Sequence, residues 1–330
     1  MTGLLGLPSA FKAMHEADIV LLLGTDFPYV KFMPTDKVII QIDDKPERLG
    51  RRAQLTRGFA GKIKDSLINL LLLIKINDNQ DFLDKQLEFY QKVKNNLRSY
   101  VEDKGKENHI SPEFVAETIN QKANKDTIFT VDTGMCCVWG ARYLEATRER
   151  KLLGSFNHGT MANAMPMAIG AQLSHPDKQV IALCGDGGLS MLLGDIATIK
   201  QYNLPIKIIV FNNRSLGMVK LEMEVNGIPD NETDMVNPDF GLLAQAFGIN
   251  GINVTDPEKV ETAIQDALAI DGPVLVNIFT DPNALAMPPK VGWEQMIGMG
   301  VAMTKMMLDG NFKEVADTIT SNYKHIKEVL

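Results

Sequence analysis

Two apolar runs, each stopped by residues suited to a tight turn, constrain this chain more than any other feature. Val180-Ile-Ala-Leu-Cys184 runs directly into Gly185-Asp-Gly-Gly188, and Ile206–Phe211 runs into Asn212-Asn213. Short unalternated runs bounded in this way fit strands buried on both faces of a parallel sheet. Thr127–Val131 and Val274–Ile278 are of the same kind. Helical patterns lie near Ala162–Leu173, Leu189–Tyr202, Asp239–Phe247 and Pro257–Ala269, so strands and helices alternate. That alternation predicts an α/β fold, a doubly wound parallel sheet with right-handed crossovers. Ligands of such sheets sit beyond the carboxyl ends of the strands.

A second, smaller α/β region precedes it. Ile19–Leu23 ends at Gly24-Thr-Asp26 and Val38–Ile42 ends at Asp43-Asp44, with helical segments around Pro8–Glu16 and Lys64–Ile74. Two clear strands make only part of a doubly wound unit. From Asn77 to Asn108 the chain turns polar, with Phe82, Leu83, Leu87, Tyr90 and Val93 at helical spacing, which reads as one amphipathic helix and a linker. Ser111-Pro112 then opens a new helix with an N-cap and a first-turn proline. The resulting division is 1–88, 89–284 and a helical tail over 285–330.

Composition excludes several classes. With 330 residues, 45% of them hydrophobic, the chain buries a real core, and whole-chain disorder is excluded. A net charge of −7 without a basic cluster argues against a nucleic-acid surface, which needs concentrated Lys and Arg. The 3 cysteines, Cys136, Cys137 and Cys184, match neither a disulfide framework nor a usual zinc spacing, and a reducing cytoplasm suits them. The longest apolar stretch, Leu67–Ile76, is interrupted by Asn69 and Lys75 and falls short of the roughly 20 residues a spanning helix needs. Nor does the N-terminus carry a signal-peptide pattern.

The chemistry concentrates at the two strand ends. Gly185, Gly187 and Gly188 allow a tight turn and a close backbone approach to an anion. Asp186 sets one hard carboxylate beside it. Asn213, 27 residues further on, returns to the same sheet edge after one helix and one strand. A carboxylate, an amide oxygen and a backbone carbonyl, completed by diphosphate oxygens and water, make the octahedral oxygen site that Mg²⁺ prefers. A lone Gly-Asp-Gly is usually just a turn; the paired asparagines at this spacing favour the functional reading.

This spacing resembles the thiamine diphosphate motif. Leu153–Pro166, Cys184–Ser190 and Phe211–Gly217 together resemble bacterial pyruvate oxidases, the flavin-dependent pyruvate:quinone oxidoreductases above all, and the likeness runs from Met1 to the tail. It implies Asp186 and Asn213 as Mg²⁺ ligands, with the Ser215 carbonyl as third. Gly187, Gly188, Leu216, Gly217, Met218 and Val219 would line the diphosphate and thiazolium. Gly159, Thr160 and Met161 would border the aminopyrimidine, Met161 as the apolar wedge that bends the cofactor and brings its amino group against the reactive carbon; plain core packing is the competing role. Asp132-Thr133-Gly134 resembles a family loop near the diphosphate. Glu222 matches a carboxylate beside the substrate, against the alternative of an exposed helical Glu, and His158 reads as a positioning residue. Met218 stands where relatives carry Phe, so an aromatic gate is absent there.

The resemblance also implies a partial Rossmann-like FAD domain over 1–88, with Leu4, Leu5, Gly6, Leu7, Phe27 and Asp43 at the flavin nucleotide; Asp43 would meet a ribose hydroxyl. It implies that the chain begins inside a middle domain and is a C-terminal fragment, inactive alone, because the family's catalytic glutamate belongs to an N-terminal pyrimidine-binding domain. The expected whole-enzyme activity is oxidation of pyruvate to acetate and carbon dioxide, with electrons passing through FAD to a quinone, in a homo-oligomer. Phosphate-dependent pyruvate oxidase and acetolactate synthase are the enzymatic alternatives, and a non-catalytic cofactor-binding module is the alternative of another class. In the tail, Phe312, Val315, Ile319, Tyr323, Ile326 and Val329 recur at helical spacing. That pattern serves either a subunit contact or a helix lying on the inner face of the cell membrane.

Overall fold

The computed structural model describes residues 3, 5–285 and 293–329 and divides the chain into two compact units, the boundary falling after Asn96. In the first unit α1 (Pro8–Glu16) leads to β1 (Ile19–Leu23), β2 (Val38–Asp43) and β3 (Arg57–Ala60), followed by α2 (Ile63–Leu73). The strands form a parallel sheet in the order β1-β2-β3. Helix α3 (Asp81–Val101) follows and runs past the boundary. The apolar runs expected as strands are strands, but β1 is not buried on both faces: Ile19 is 57% exposed, and Leu21 and Leu23 are exposed with it. As an edge strand it meets a neighbour on one side only. Ile39 and Ile42 of β2, between two strands, are buried. The stripe expected on α3 is also mostly exposed; Val93 alone of its five residues is buried.

The second unit contains a small antiparallel pair, β4 (Gly105–Lys106) and β5 (His109–Ile110), and then α4 (Pro112–Lys122). Ser111 caps α4 as expected, its Oγ accepting from Phe114 N at 3.3 Å, with Pro112 in the first turn. The main elements follow in order: β6 (Ile128–Val131), α5 (Met135–Tyr143), β7 (Lys151–Gly154), α6 (Ala164–Ser174), β8 (Val180–Gly185), α7 (Asp186–Met191) and α8 (Asp195–Gln201). Next come β9 (Lys207–Asn212), α9 (Gly217–Val225), α10 (Phe240–Ala246), β10 (Asn250–Val254), α11 (Val260–Ala269), β11 (Val274–Phe279), α12 (Trp293–Leu308) and α13 (Phe312–Val329). The single helix expected over Leu189–Tyr202 is two, because the chain breaks between Leu192 and Gly194. Glycine there lowers the cost of leaving the helix.

The sheet is parallel throughout, in the order β10-β11-β9-β8-β6-β7. Its central strands are solidly buried, and Val180, Ala182, Ile206, Ile208 and Val210 form a core with Ala164 and Ala168 of α6, Ile196 and Ile199 of α8, and Phe240 of α10. From β6 the chain goes first to β7 on one side and then to β8 on the other. The strand order therefore reverses between β6 and β8, and the crevice outside their carboxyl ends is where a doubly wound sheet takes a ligand.

Helix α12 packs against α9 through a backbone contact. A Cβ built at Gly298 would lie 2.0 Å from the Val225 carbonyl oxygen. Gly298→Ala is expected to push α12 off α9 and to cost about 1–3 kcal/mol, outweighing the gain in helix propensity. Urea unfolding and amide exchange in α9 and α12 measure it. Among the described residues no helix is long and apolar enough to cross a membrane.

Candidate cofactor site

A cavity of about 250 Å³ opens at the switch point, and its walls come from the carboxyl ends of β6, β8, β9 and β11. Gly134, Gly159, Met161, Gly185, Asp186, Gly187, Gly188, Asn213, Ser215, Leu216, Gly217, Met218 and Val219 all line it. Segments far apart in sequence thus converge on one cavity. On one side the built Cβ of Gly187 would meet Leu216 and Met161 at 3.2 Å and the Met235 sulfur at 3.4 Å. An apolar collar therefore faces the glycine turn.

Asp186 is 3% exposed and held by three donors. Its Oδ1 accepts from Gly187 N at 2.9 Å; its Oδ2 accepts from Arg214 N and from Asn237 Nδ2, both at 2.7 Å. Burial pushes its carboxyl up from the ordinary range, and these donors act in the opposite direction. Asn213 Oδ1 accepts from Ser215 N at 3.2 Å, which closes a short turn across Arg214. Arg214 itself has φ +54°, a left-handed conformation uncommon for a non-glycine residue. Ala162, next to Met161, has φ +63°. Backbone strain of this kind gathers where a site over-determines the chain, and both instances flank residues of the cavity wall.

Asp132, Thr160 and Glu222 are not part of the cavity wall. Asp132 lies beneath the cavity, 1% exposed, with Oδ1 accepting from Ala164 N at 2.8 Å, so it anchors the start of α6 to the end of β6. Its Oδ2 has no hydrogen-bond partner. Burial pushes the Asp132 carboxyl up to about 6, against backbone donors at Ala164, Gly185 and Asn163. The unfolded carboxyl, near 3.8, releases its proton first as pH rises, so this group lowers stability between about pH 4 and 6, by up to about 3 kcal/mol. Asp132→Asn is expected to remove that slope: the wild type loses stability from pH 4 to pH 6.5 through this group, and the variant does not. Urea midpoints at the two pH values check it. Glu222 lies on α9 one helical turn after the wall residue Met218, and it is exposed. Thr160 is exposed as well, with its Oγ1 donating to the Met161 carbonyl.

Other wall residues carried no advance signal. Thr280 and Asp281 close the cavity at the end of β11, where the strand-end rule applied to Val274–Ile278 could have found them. Cys136 and Trp139 enter from α5. Burial, with Asp132 nearby, pushes the Cys136 thiol well up, so it stays protonated and inert as a nucleophile. Asn237 had no signal at all. The rim carries a further tie: Ser321 Oγ of α13 donates to Asp281 Oδ2 at 2.7 Å, and Asn322 Nδ2 donates to the Asn283 carbonyl at 2.7 Å. The tail helix thus packs on its own unit through at least these residues.

In the first unit, Leu7 stands at the N-cap of α1 and Gly6 N donates to the Gly3 carbonyl at 2.9 Å. The Phe27 ring meets Tyr29 edge-on at 5.6 Å. Asp43 is fully buried; Oδ1 accepts from Lys45 N at 2.9 Å, and Oδ2 has no hydrogen-bond partner. Leu4 lies outside the described residues.

Among the described residues no group of three His, Cys, Asp or Glu side chains could hold a metal ion. The donor set at the cavity is of another kind, one carboxylate with amide and carbonyl oxygens, which suits a hard cation sharing its shell with a diphosphate.

Comparison with known proteins agrees with this geometry. Residues 132–278 match the C-terminal TPP binding domain of thiamine pyrophosphate enzymes, and residues 1–70 match their central domain. The chain is 33% identical over 330 residues to the thiamine pyrophosphate-containing protein YdaP of Bacillus subtilis, covering 99% of this chain and 56% of that protein. It is 30% identical to the acetolactate synthase large subunit of Porphyra purpurea, over 91% of this chain and 52% of that protein. It is likewise 30% identical to the large subunit of Corynebacterium glutamicum, over 87% and 48%. The chain spans about half the length of these curated relatives. With both domain profiles matched in order, and the Asp186–Asn213 cavity inside the second, the chain belongs to the thiamine pyrophosphate-dependent enzyme family.

Proposed function

We propose that the second unit holds the diphosphate and Mg²⁺ of thiamine diphosphate in an enzyme that decarboxylates pyruvate and passes its electrons through FAD to a quinone. The observation that carries the cofactor part is the convergence of Asp186, Asn213 and Ser215 on one cavity with the glycine turn 185–188. The fit is specific in two places. Gly188 is packed so closely against Asp132 that a side chain has no room, which leaves its backbone as the wall. The cavity-lining Ser215 also has a buried hydroxyl without a hydrogen-bond partner. Asp186 Oδ and Asn213 Oδ1, with the Ser215 carbonyl, would hold the cation. Met161 and Leu216 give the ring system an apolar seat. When bound, thiamine diphosphate supplies a thiazolium carbon that adds to the keto group and accepts the electron pair left by carbon dioxide.

The FAD part rests on the resemblance and on the unpaired, buried Asp43 Oδ2 at the carboxyl end of β2, an acceptor of the kind a ribose hydroxyl satisfies. Acetolactate synthase is the second reading, favoured by the relatives of that name at 30% identity. Trp139 in the cavity wall provides the binding test. Thiamine diphosphate is expected to quench its fluorescence only when Mg²⁺ is present, and Mg²⁺-independent or absent quenching overturns the cofactor assignment. To separate the activities, the chain is co-produced with the N-terminal domain of a relative and given pyruvate and FAD. Flavin reduction with acetate as product supports the oxidase reading; acetolactate without net flavin reduction supports the synthase reading.

A further inference from the structure

Six polar side chains form one continuous row across the carboxyl edge of the large sheet. Asn237 Nδ2 donates to Asp186 Oδ2 at 2.7 Å and to Asn212 Oδ1 at 2.9 Å. Asn212 Nδ2 donates to Asn277 Oδ1 at 3.0 Å, and Asn277 Nδ2 to Asn253 Oδ1 at 2.9 Å. Asn253 Nδ2 ends the row on Asp239 Oδ1 at 2.7 Å, the carboxylate that also caps α10 through Leu242 N. Asn212, Asn277 and Asn253 each point the amide oxygen toward Asn237 and the nitrogen toward Asp239. Reversing any one of them would set like groups against each other, so the row fixes the orientation of them all.

Asn237 is the head of that row, and both of its amide hydrogens are committed. The other donors to the Asp186 carboxylate, Gly187 N and Arg214 N, are backbone groups next to the cavity turns themselves. Asn237 reaches it from a separate segment, and that segment is strapped to the Asn213–Leu216 loop. Leu216 N donates to the Thr233 carbonyl and Met235 N to the Arg214 carbonyl, both at 2.8 Å, and Ser215 bridges Asp234. Pro238 holds Asn237 out of the helical region, ahead of the Asp239 cap.

We propose that Asn237 is a positioning residue for the metal site: its amide, set by the asparagine row, fixes the rotation of the Asp186 carboxylate so that an oxygen is presented to the cation. This rests on the cofactor assignment above. Partners that orient a ligating carboxylate are worth roughly 10–100-fold in metal affinity.

The test is Mn²⁺ binding to the full chain with thiamine diphosphate, read by electron paramagnetic resonance of the free ion, beside the melting temperature of the metal-free chain. Asn237→Ala is expected to weaken Mn²⁺ binding roughly 10–100-fold, with the metal-free melting temperature nearly unchanged. Asn237→Asp keeps the shape, replaces the donor by an acceptor and adds a negative charge. Loss of affinity in this variant too supports orientation by donation; equal or tighter binding overturns it. A lowered melting temperature with wild-type Mn²⁺ affinity in Asn237→Ala assigns the residue a purely structural role and overturns the proposal, while the cofactor assignment stands. A wild-type chain that retains no Mn²⁺ with thiamine diphosphate overturns the cofactor assignment and this proposal together.

Discussion

Asp186→Ala is expected to abolish Mg²⁺-dependent binding of thiamine diphosphate, a loss of two orders of magnitude or more in the Trp139 fluorescence titration. The substitution removes the only carboxylate in the proposed donor set, and the remaining amide and carbonyl oxygens are neutral. Its second effect falls on the fold. Gly187 N, Arg214 N and the Asn237 amide all donate to this carboxylate. Donors left without an acceptor in a buried place cost about 1–3 kcal/mol each, reduced where water can enter the vacated space. Asp186→Asn separates the two effects. It keeps the shape and one acceptor oxygen, so it should recover part of the stability and little of the binding. Binding at the wild-type level in either variant would remove Asp186 from the metal site.

Gly188→Ala should damage the fold and the cofactor site together. The added Cβ would lie 2.3 Å from Asp132 Oδ2, 2.9 Å from its Cγ and 3.2 Å from Ala162 N. Asp132 has little freedom to retreat, because its other oxygen holds the first turn of α6 through Ala164 N. The glycine turn must therefore shift into the cavity, or α6 must lose its anchor. A destabilisation of about 3 kcal/mol, the upper part of the usual range for overpacking, is expected in urea unfolding. Cofactor affinity should fall with it. Shortening the obstructing residue tests the cause: Asp132→Ala should cost less in the Gly188→Ala background than alone, giving a coupling of roughly 1 kcal/mol or more. Strict additivity would show that the clash is relieved some other way.

The sequence reveals the strands with continuous apolar runs, the surrounded ones and the edge strand β1, and hides the polar ones. Val180–Cys184 and Ile206–Phe211 occupy the middle of the sheet, where both faces are covered and side chains are apolar or, like Lys207, tied off by carbonyls at Ile270 and Gly272. Besides the short pair β4 and β5, the strands without an advance signal are β3, β7 and β10, all edges. Arg57-Gly-Phe-Ala60 and Asn250-Gly-Ile-Asn-Val254 carry polar and glycine residues because half of their surroundings is water. The site divides in the same way. Asp186 and Asn213 are legible because the turn chemistry that sets them at the strand ends is local. Asn237 is not, since its bond to Asp186 spans 51 residues and depends on which loop folds over which strand end. Asp132 was legible as a loop residue near the site but not as a buried prop, because its role is decided by Gly188 and Ala164. Glu222 follows the wall residue Met218 by four positions on α9, so the helical period sets it on the same face one turn further along.

The exposed β1 has a consequence for how this chain behaves in solution. Ile19, Leu21 and Leu23 face outward on an edge strand, and Leu71, Leu72, Leu73 and Ile74 of the α2 region are exposed too, Leu72 at 79%. Such surface attracts its own kind, and a free strand edge adds a row of unspent backbone donors and acceptors. The first ninety-odd residues therefore add an aggregation-prone surface that lies apart from the thiamine diphosphate cavity. Polar substitutions at Leu72 or Leu73 should raise the concentration the chain tolerates without touching a residue of that cavity.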